Sequence, residues 1–194
     1  MSDNLKEKKP IYKKVWFWIL IIVVLIVIGS MSGENNNTTD TKEVSSNKNE
    51  VTEKTLNMGE TWTVDGQWNL TINSVTPTDK RNEFSDKTPN QVVLVDYSYE
   101  NLGYEDKNGI MDGLYFDLEP GVDTNIIDGN GEVAYSYPGD IATHPQQTPV
   151  GAKCVNAQSC VGLNNKSNTI TINIKKYDGN GKQQKAKYIL SLDH

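Results

Sequence analysis

Stretches of strict alternation between apolar and polar residues recur from Trp62 to Leu192, and this period of two limits what the chain can fold into. Trp68, Leu70 and Ile72 alternate with Asn69, Thr71 and Asn73. Ile170, Ile172 and Ile174 alternate with Thr169, Thr171 and Asn173, and Tyr188, Leu190 and Leu192 share a face near the end. Successive side chains of a strand point to opposite faces, so the pattern predicts half-buried strands with one wet side. Gln91 to Tyr99 (QVVLVDYSY) is apolar at consecutive positions at its start, which predicts an inner strand. Asp65-Gly66, between Trp62-Thr63-Val64 and Gln67-Trp68, predicts a two-residue hairpin of type I′. The sequence DGNG at 128–131 and again at 178–181 marks two further reversals. Long connections remain at 76–90, 102–113 and 138–150, the last two with room for a short helical turn. Short strands with frequent turn signals predict an all-β, antiparallel β-sandwich over residues 55–194.

A second feature governs placement. Val15 to Ile28 reads VWFWILIIVVLIVI, and with Gly29, Ser30 and Met31 the run reaches 17 residues without a charge. At a rise of about 1.5 Å per residue it spans roughly 25 Å, the short end of what crosses a bilayer. Residues 15–31 are therefore expected to form one transmembrane helix. Residues 1–14 carry Lys6, Lys8, Lys9, Lys13 and Lys14 against Asp3 and Glu7, a net of +3, so the remainder of this −6 chain carries −9. Trp16 and Trp18 beside Lys13 and Lys14 fit an interfacial belt, and the positive-inside rule puts the basic tip in the cytoplasm and the rest outside. The expectation is a single-pass cell-membrane protein with its C-terminal domain extracellular. A cleaved signal peptide ending at Ser30-Met31-Ser32 is the competing reading, and it also places the domain outside. An acidic body repels phosphate backbones, so no nucleic-acid partner is expected.

Residues 32–54 (SGENNNTTDTKEVSSNKNEVTEK) are small, polar or charged apart from Val44 and Val51. Such a segment buries too little apolar surface to offset its ordering entropy, and reads as a disordered linker.

Chemistry is harder to find. Cys154 and Cys160 are the only cysteines, and their proximity in an oxidising compartment favours a disulfide. The alternative is one continuous strand through both, with the cysteines roughly 20 Å apart on the same face. No histidine or third cysteine lies beside them in sequence, so no metal site is expected. His144, in the polar loop ATHPQQTP, and His194 read as solvated side chains, and no nucleophile motif accompanies them. Asp128-x-Asn130-x-Glu132 and Asp106-x-Asn108-x-x-x-Asp112 hint at calcium, but neither completes the 12-residue loop, and tight turns explain them better. Tyr97, Tyr99, Tyr104, Tyr115, Tyr135 and Tyr137 cluster in the middle of the domain; exposed, they would make a carbohydrate or peptide platform, with Tyr97, Tyr99, Tyr135 and Tyr137 as its candidate ligand surface, and otherwise they are core or cross-strand residues. Lys175, Lys176, Lys182, Lys185 and Lys187 read as a positive hairpin face, either edge protection or a contact for anionic polymer. No cofactor is expected.

The order GETWTVDGQWNLTINSV, QVVLVDYSYENLG, IIDGNGE and VGLNNKSNTITI, behind the anchor KKPIYKKVWFW, resembles a family of extracytoplasmic domains of Gram-positive membrane proteins and lipoproteins. That resemblance implies the immunoglobulin-like β-sandwich of the immunoprotective extracellular type, also seen in a secreted mycobacterial antigen. It implies a strand-ending turn at Asn101-Leu102-Gly103, and no active site. The functional expectation is a membrane-anchored, non-catalytic binding or interaction module whose partner is a cell-envelope protein or polymer. A cell-surface hydrolase using a carboxylate pair, or a purely structural or antigenic domain, are the alternatives.

Overall fold

The computed structural model describes residues 53–106 and 113–192. The basic tip 1–14, the apolar run 15–31, the linker as far as residue 52, residues 107–112 and His194 lie outside the described residues. No helix among the described residues is long and apolar enough to cross a membrane. The described residues form nine strands: β1 (Glu53–Leu56), β2 (Thr61–Val64), β3 (Trp68–Thr78), β4 (Gln91–Asn101), β5 (Thr124–Asp128), β6 (Tyr135–Ser136), β7 (Lys153–Leu163), β8 (Thr169–Tyr177) and β9 (Gln183–Ser191). One sheet has the order β1-β9-β8-β5, the other β2-β3-β4-β7-β6. The fold is all-β, and the helical turns expected for 102–113 and 138–150 are absent from the described parts of those segments.

The alternating residues do what their period requires. Trp68, Leu70 and Ile72 of β3, Ile170, Ile172 and Ile174 of β8, and Tyr188, Leu190 and Leu192 at and after β9 all enter one core fed by both sheets. Burying each of these large side chains contributes about 1.5–3 kcal/mol. Tyr188 ties the sheets together, its buried hydroxyl donating to Leu70 O across the core at 2.8 Å. β4 lies between β3 and β7, as its continuous apolar start predicts. A smaller cluster of Val92, Tyr137 and Cys160 packs separately.

Two expectations are corrected. β1 starts at Glu53, two residues into the expected linker, and pairs with β9 in parallel, while the other strand pairs are antiparallel. The cause is topological: β1 and β2 belong to different sheets, so the four-residue link at 57–60 crosses between layers instead of closing a hairpin. The 65–66 turn is also not a type I′ pair. Val64 pairs with Trp68, leaving three loop residues. Gln67 N donates to Val64 O at 2.9 Å, and Gly66 has positive φ while Asp65 does not. Type I′ needs both central residues at positive φ, which Asp65 avoids. The two DGNG segments do form tight reversals. In each, Gly131 or Gly181 has positive φ and donates to the carbonyl of Asp128 or Asp178 at 3.0 and 2.8 Å.

β4 is flanked by two bulges. Asn73 is the extra residue in β3, and Val155-Asn156 of β7 stand opposite the single Ser98 of β4. Asn156 has φ 55°, a left-handed conformation that asparagine tolerates better than most residues. Ser98 Oγ accepts from both bulges, from Asn73 Nδ2 at 2.9 Å and from Asn156 N at 3.0 Å.

Candidate functional site

The β7 bulge decides the fate of the cysteines. Both are free, so the expected disulfide does not form. They stand on one extended strand, and the extra residue at 155–156 shifts the alternation between them. Cys154 therefore enters the main core, while Cys160 joins the cluster with Val92 and Tyr137 on the opposite face. Burial is the main influence on the Cys160 thiol, pushing its pKa up, which keeps it protonated and unreactive.

The tyrosines do not form one surface either, although Tyr104 and Tyr115 line a cleft. Of the four candidates, Tyr97, Tyr99 and Tyr137 are buried, and only Tyr135 is half exposed. Tyr97 donates to Phe116 O at 3.2 Å and Tyr99 to Gln146 O. Tyr137 Oη accepts from Asn82 N at 2.8 Å, clasping the 79–90 connection to the strand beneath. Tyr135 lies over Gly162, which has no Cβ to obstruct the ring, and Lys87 Nζ sits 4.4 Å from its centroid. They fill the core and make cross-strand contacts.

The calcium-like segment at 128–132 is a turn whose carboxylate is already satisfied, and all but Asp106 of the second, at 106–112, lies outside the described residues. Asp128 Oδ1 accepts from Asn130 N and Glu132 N, each at 2.9 Å, and Oδ2 accepts from Asn165 Nδ2 at 3.0 Å. Asp178 repeats the arrangement with Asn180 N, Lys182 N and Gln184 Nε2. Desolvation pulls both carboxyls upward, but these hydrogen bonds outweigh it and hold both below the usual carboxylate range. No group of three metal-ligating side chains exists among the described residues, and His144 is exposed.

A cleft of about 320 Å³ opens where β8 ends and β5 begins, lined by Tyr104, Tyr115, Phe116, Asp117, Asp123 and Lys176 among others. Its base is an aromatic stack. Trp62 and Trp68 meet edge to face at 5.5 Å, and Trp68 packs the same way on Tyr104 and on Phe116, both at 5.8 Å. The Trp68 indole N–H is buried without a hydrogen-bond partner among the described residues. Asn101, fully buried at the end of β4, holds the approach to the cleft. Its Nδ2 donates to Thr148 O (2.9 Å) and Tyr104 O (3.1 Å), and its Oδ1 accepts from Gly103 N (3.0 Å) and Tyr104 N (2.7 Å).

Lys176 is the unusual member. It follows Ile170, Ile172 and Ile174 in the inward-facing row of β8, so its ammonium is drawn under the surface. Nζ donates to Tyr115 O at 3.0 Å and stands 5.1 Å from the ring centroids of both Tyr104 and Phe116. Desolvation lowers its pKa, opposed by the charges of Asp123 and Asp106. In sequence Lys176 reads as one of the hairpin lysines. The missed signal was its register, an even-numbered position continuing an apolar row.

Recesses of about 370 and 550 Å³ share lining residues with the cleft, and Asp123 lines all three. Glu53, where β1 begins, lines one of them. The cleft and the larger recess together present Glu105, Asp106, Asp117, Asp123 and Asp178 against Lys175 and Lys176.

No family model matches the chain, and no curated protein matches it. Among solved structures, the YjhA protein from Bacillus subtilis aligns with a TM-score of 0.45 at 16% identity, covering 71% of this chain and 98% of that one.

Proposed function

We propose that this chain is a membrane-anchored, extracytoplasmic binding module without catalytic activity, its domain an immunoglobulin-like antiparallel β-sandwich of the immunoprotective extracellular type. The observation that carries the binding reading is the cleft: concave, floored by packed aromatic rings, and lined by a few charged groups, which is the usual make-up of a recognition site. The anchor rests on the basic tip and the uncharged run at 15–31, and the sandwich on two sheets that share one core. The full-length protein in membrane vesicles should retain one cell-envelope component reproducibly, and Tyr104→Ala should abolish that retention. Hydrolysis of an envelope polymer that disappears in His144→Ala would overturn the non-catalytic reading.

One observation favours a second reading. Asp117 and Asp123 line the same cleft, and a carboxylate pair in a cleft is what a glycoside-type hydrolase requires. Polymer turnover abolished by both Asp117→Asn and Asp123→Asn would establish it, and undiminished turnover in either would exclude it.

A further inference from the structure

We infer that the ring cage at the head of the cleft recognises a primary ammonium on an extended peptide, a lysine side chain, and that Lys176 occupies this cage as an internal stand-in. The inference rests on the binding reading above and names its ligand class.

The chemistry of the cage is that of a cation site. Tyr104 and Phe116 turn their ring faces toward one ammonium, and Tyr115 O accepts a hydrogen bond from it. An ammonium over two rings, Phe116 buried and Tyr104 half-buried, is attracted by both quadrupoles. The surrounding charge has the same sense, five carboxylates against two lysines along the cleft and its larger recess. The shape argues for a peptide over a small amine, because the two recesses that share lining residues with the cleft give room for chain flanking a single side chain.

The internal occupant is poorly suited to staying. Lys176 holds the last inward position of β8, next to the exposed Tyr177, so its flexible side chain has a short route to water. Burial already disfavours its charged form, and leaving the cage restores its hydration. An incoming lysine would take over the same rings and the same carbonyl. The apparent affinity for that lysine falls in proportion to the fraction of time the cage stands open. Lys176 thus sets a threshold for binding without contributing to the bound state.

The test uses the full-length chain in nanodiscs of zwitterionic lipid, titrated calorimetrically with acetyl-Ala-Ala-Lys-Ala-Ala-amide. Lys176→Met should bind at least about tenfold more tightly than the parent, since the competitor is gone. Lys187→Met makes the same change in net charge at a lysine that lines neither the cleft nor its recesses, and should shift affinity less than about twofold, as should any purely long-range effect at physiological salt. Asp123→Asn should weaken both the parent and Lys176→Met, and the peptide with an acetylated lysine should not bind. In the parent, added peptide should accelerate reductive methylation of Lys176, a readout that holds even if a variant fails to fold. Equal gains in Lys187→Met and Lys176→Met, equal binding of the acetylated peptide, or protection of Lys176 instead of exposure would each overturn the inference. Absence of peptide binding alongside intact envelope capture would overturn it and leave the binding-module reading standing.

Discussion

Asn101 shows how one polar side chain can hold a loop-rich end of an all-β domain. Its amide is fully buried and uses both donors and its acceptor on backbone groups of three residues. Asn101→Ala would strand those groups in the interior, at a cost of about 3 kcal/mol, read as a lowered urea midpoint. Gly139 is a second residue-scale constraint. A Cβ there would collide with Cys160 Sγ, so Gly139→Ala should destabilise the domain, and Cys160→Ala in the same chain should recover most of the loss. Neither dependency is legible in sequence, where Asn101 is one more strand-ending asparagine and Gly139 one more loop glycine. The cysteines give the complementary lesson. Their spacing suggests a bond, but β7 is extended and bulged between them, so both thiols are free. Native protein should react slowly with a thiol reagent, release two thiols on unfolding, and melt at the same temperature with or without reductant.

At the scale of the element, the alternation of β3, β8 and β9 was readable because each strand has one apolar face and the period follows from backbone geometry. The bulges were not readable, since an inserted residue looks like any other until its partner strand is known. Deleting Asn156 removes the extra residue and turns either 153–155 or 157–163 onto the wrong face. That deletion should cost far more than Asn156→Gly, which keeps the length and tolerates positive φ; comparative proteolysis would separate the two. The paired turns at Asp128 and Asp178 carry a pH signature. Their carboxyls lie below the usual range in the folded state, so their contribution is present above the unfolded pKa of about 4 and is lost as pH falls through the folded values. Thermal stability should therefore fall with acidification below about pH 4, and Asp128→Asn with Asp178→Asn should flatten that fall.

For the whole molecule, the sequence alone sets a period-two pattern, three turn sites that the structure bears out, and a charge-free run behind a basic tip. The anchor reading predicts that the chain stays with membranes after alkaline extraction and that protease outside intact cells removes the C-terminal domain. Release into the soluble fraction would favour cleavage at Ser30-Met31-Ser32. The all-β class was legible because alternation is a local property that any core-facing strand must show. The assignment of β1 to the β9 edge, the burial of Tyr97, Tyr99 and Tyr137, the separation of the two cysteines and the ring cage around Lys176 were decided only by tertiary structure. Each depends on which strand lies beside which and on how many residues separate their pairings. Periodicity tells a side chain that it faces inward. Only the assembled sheets determine whether it meets an apolar neighbour, another sheet's carbonyl, or a pair of aromatic rings.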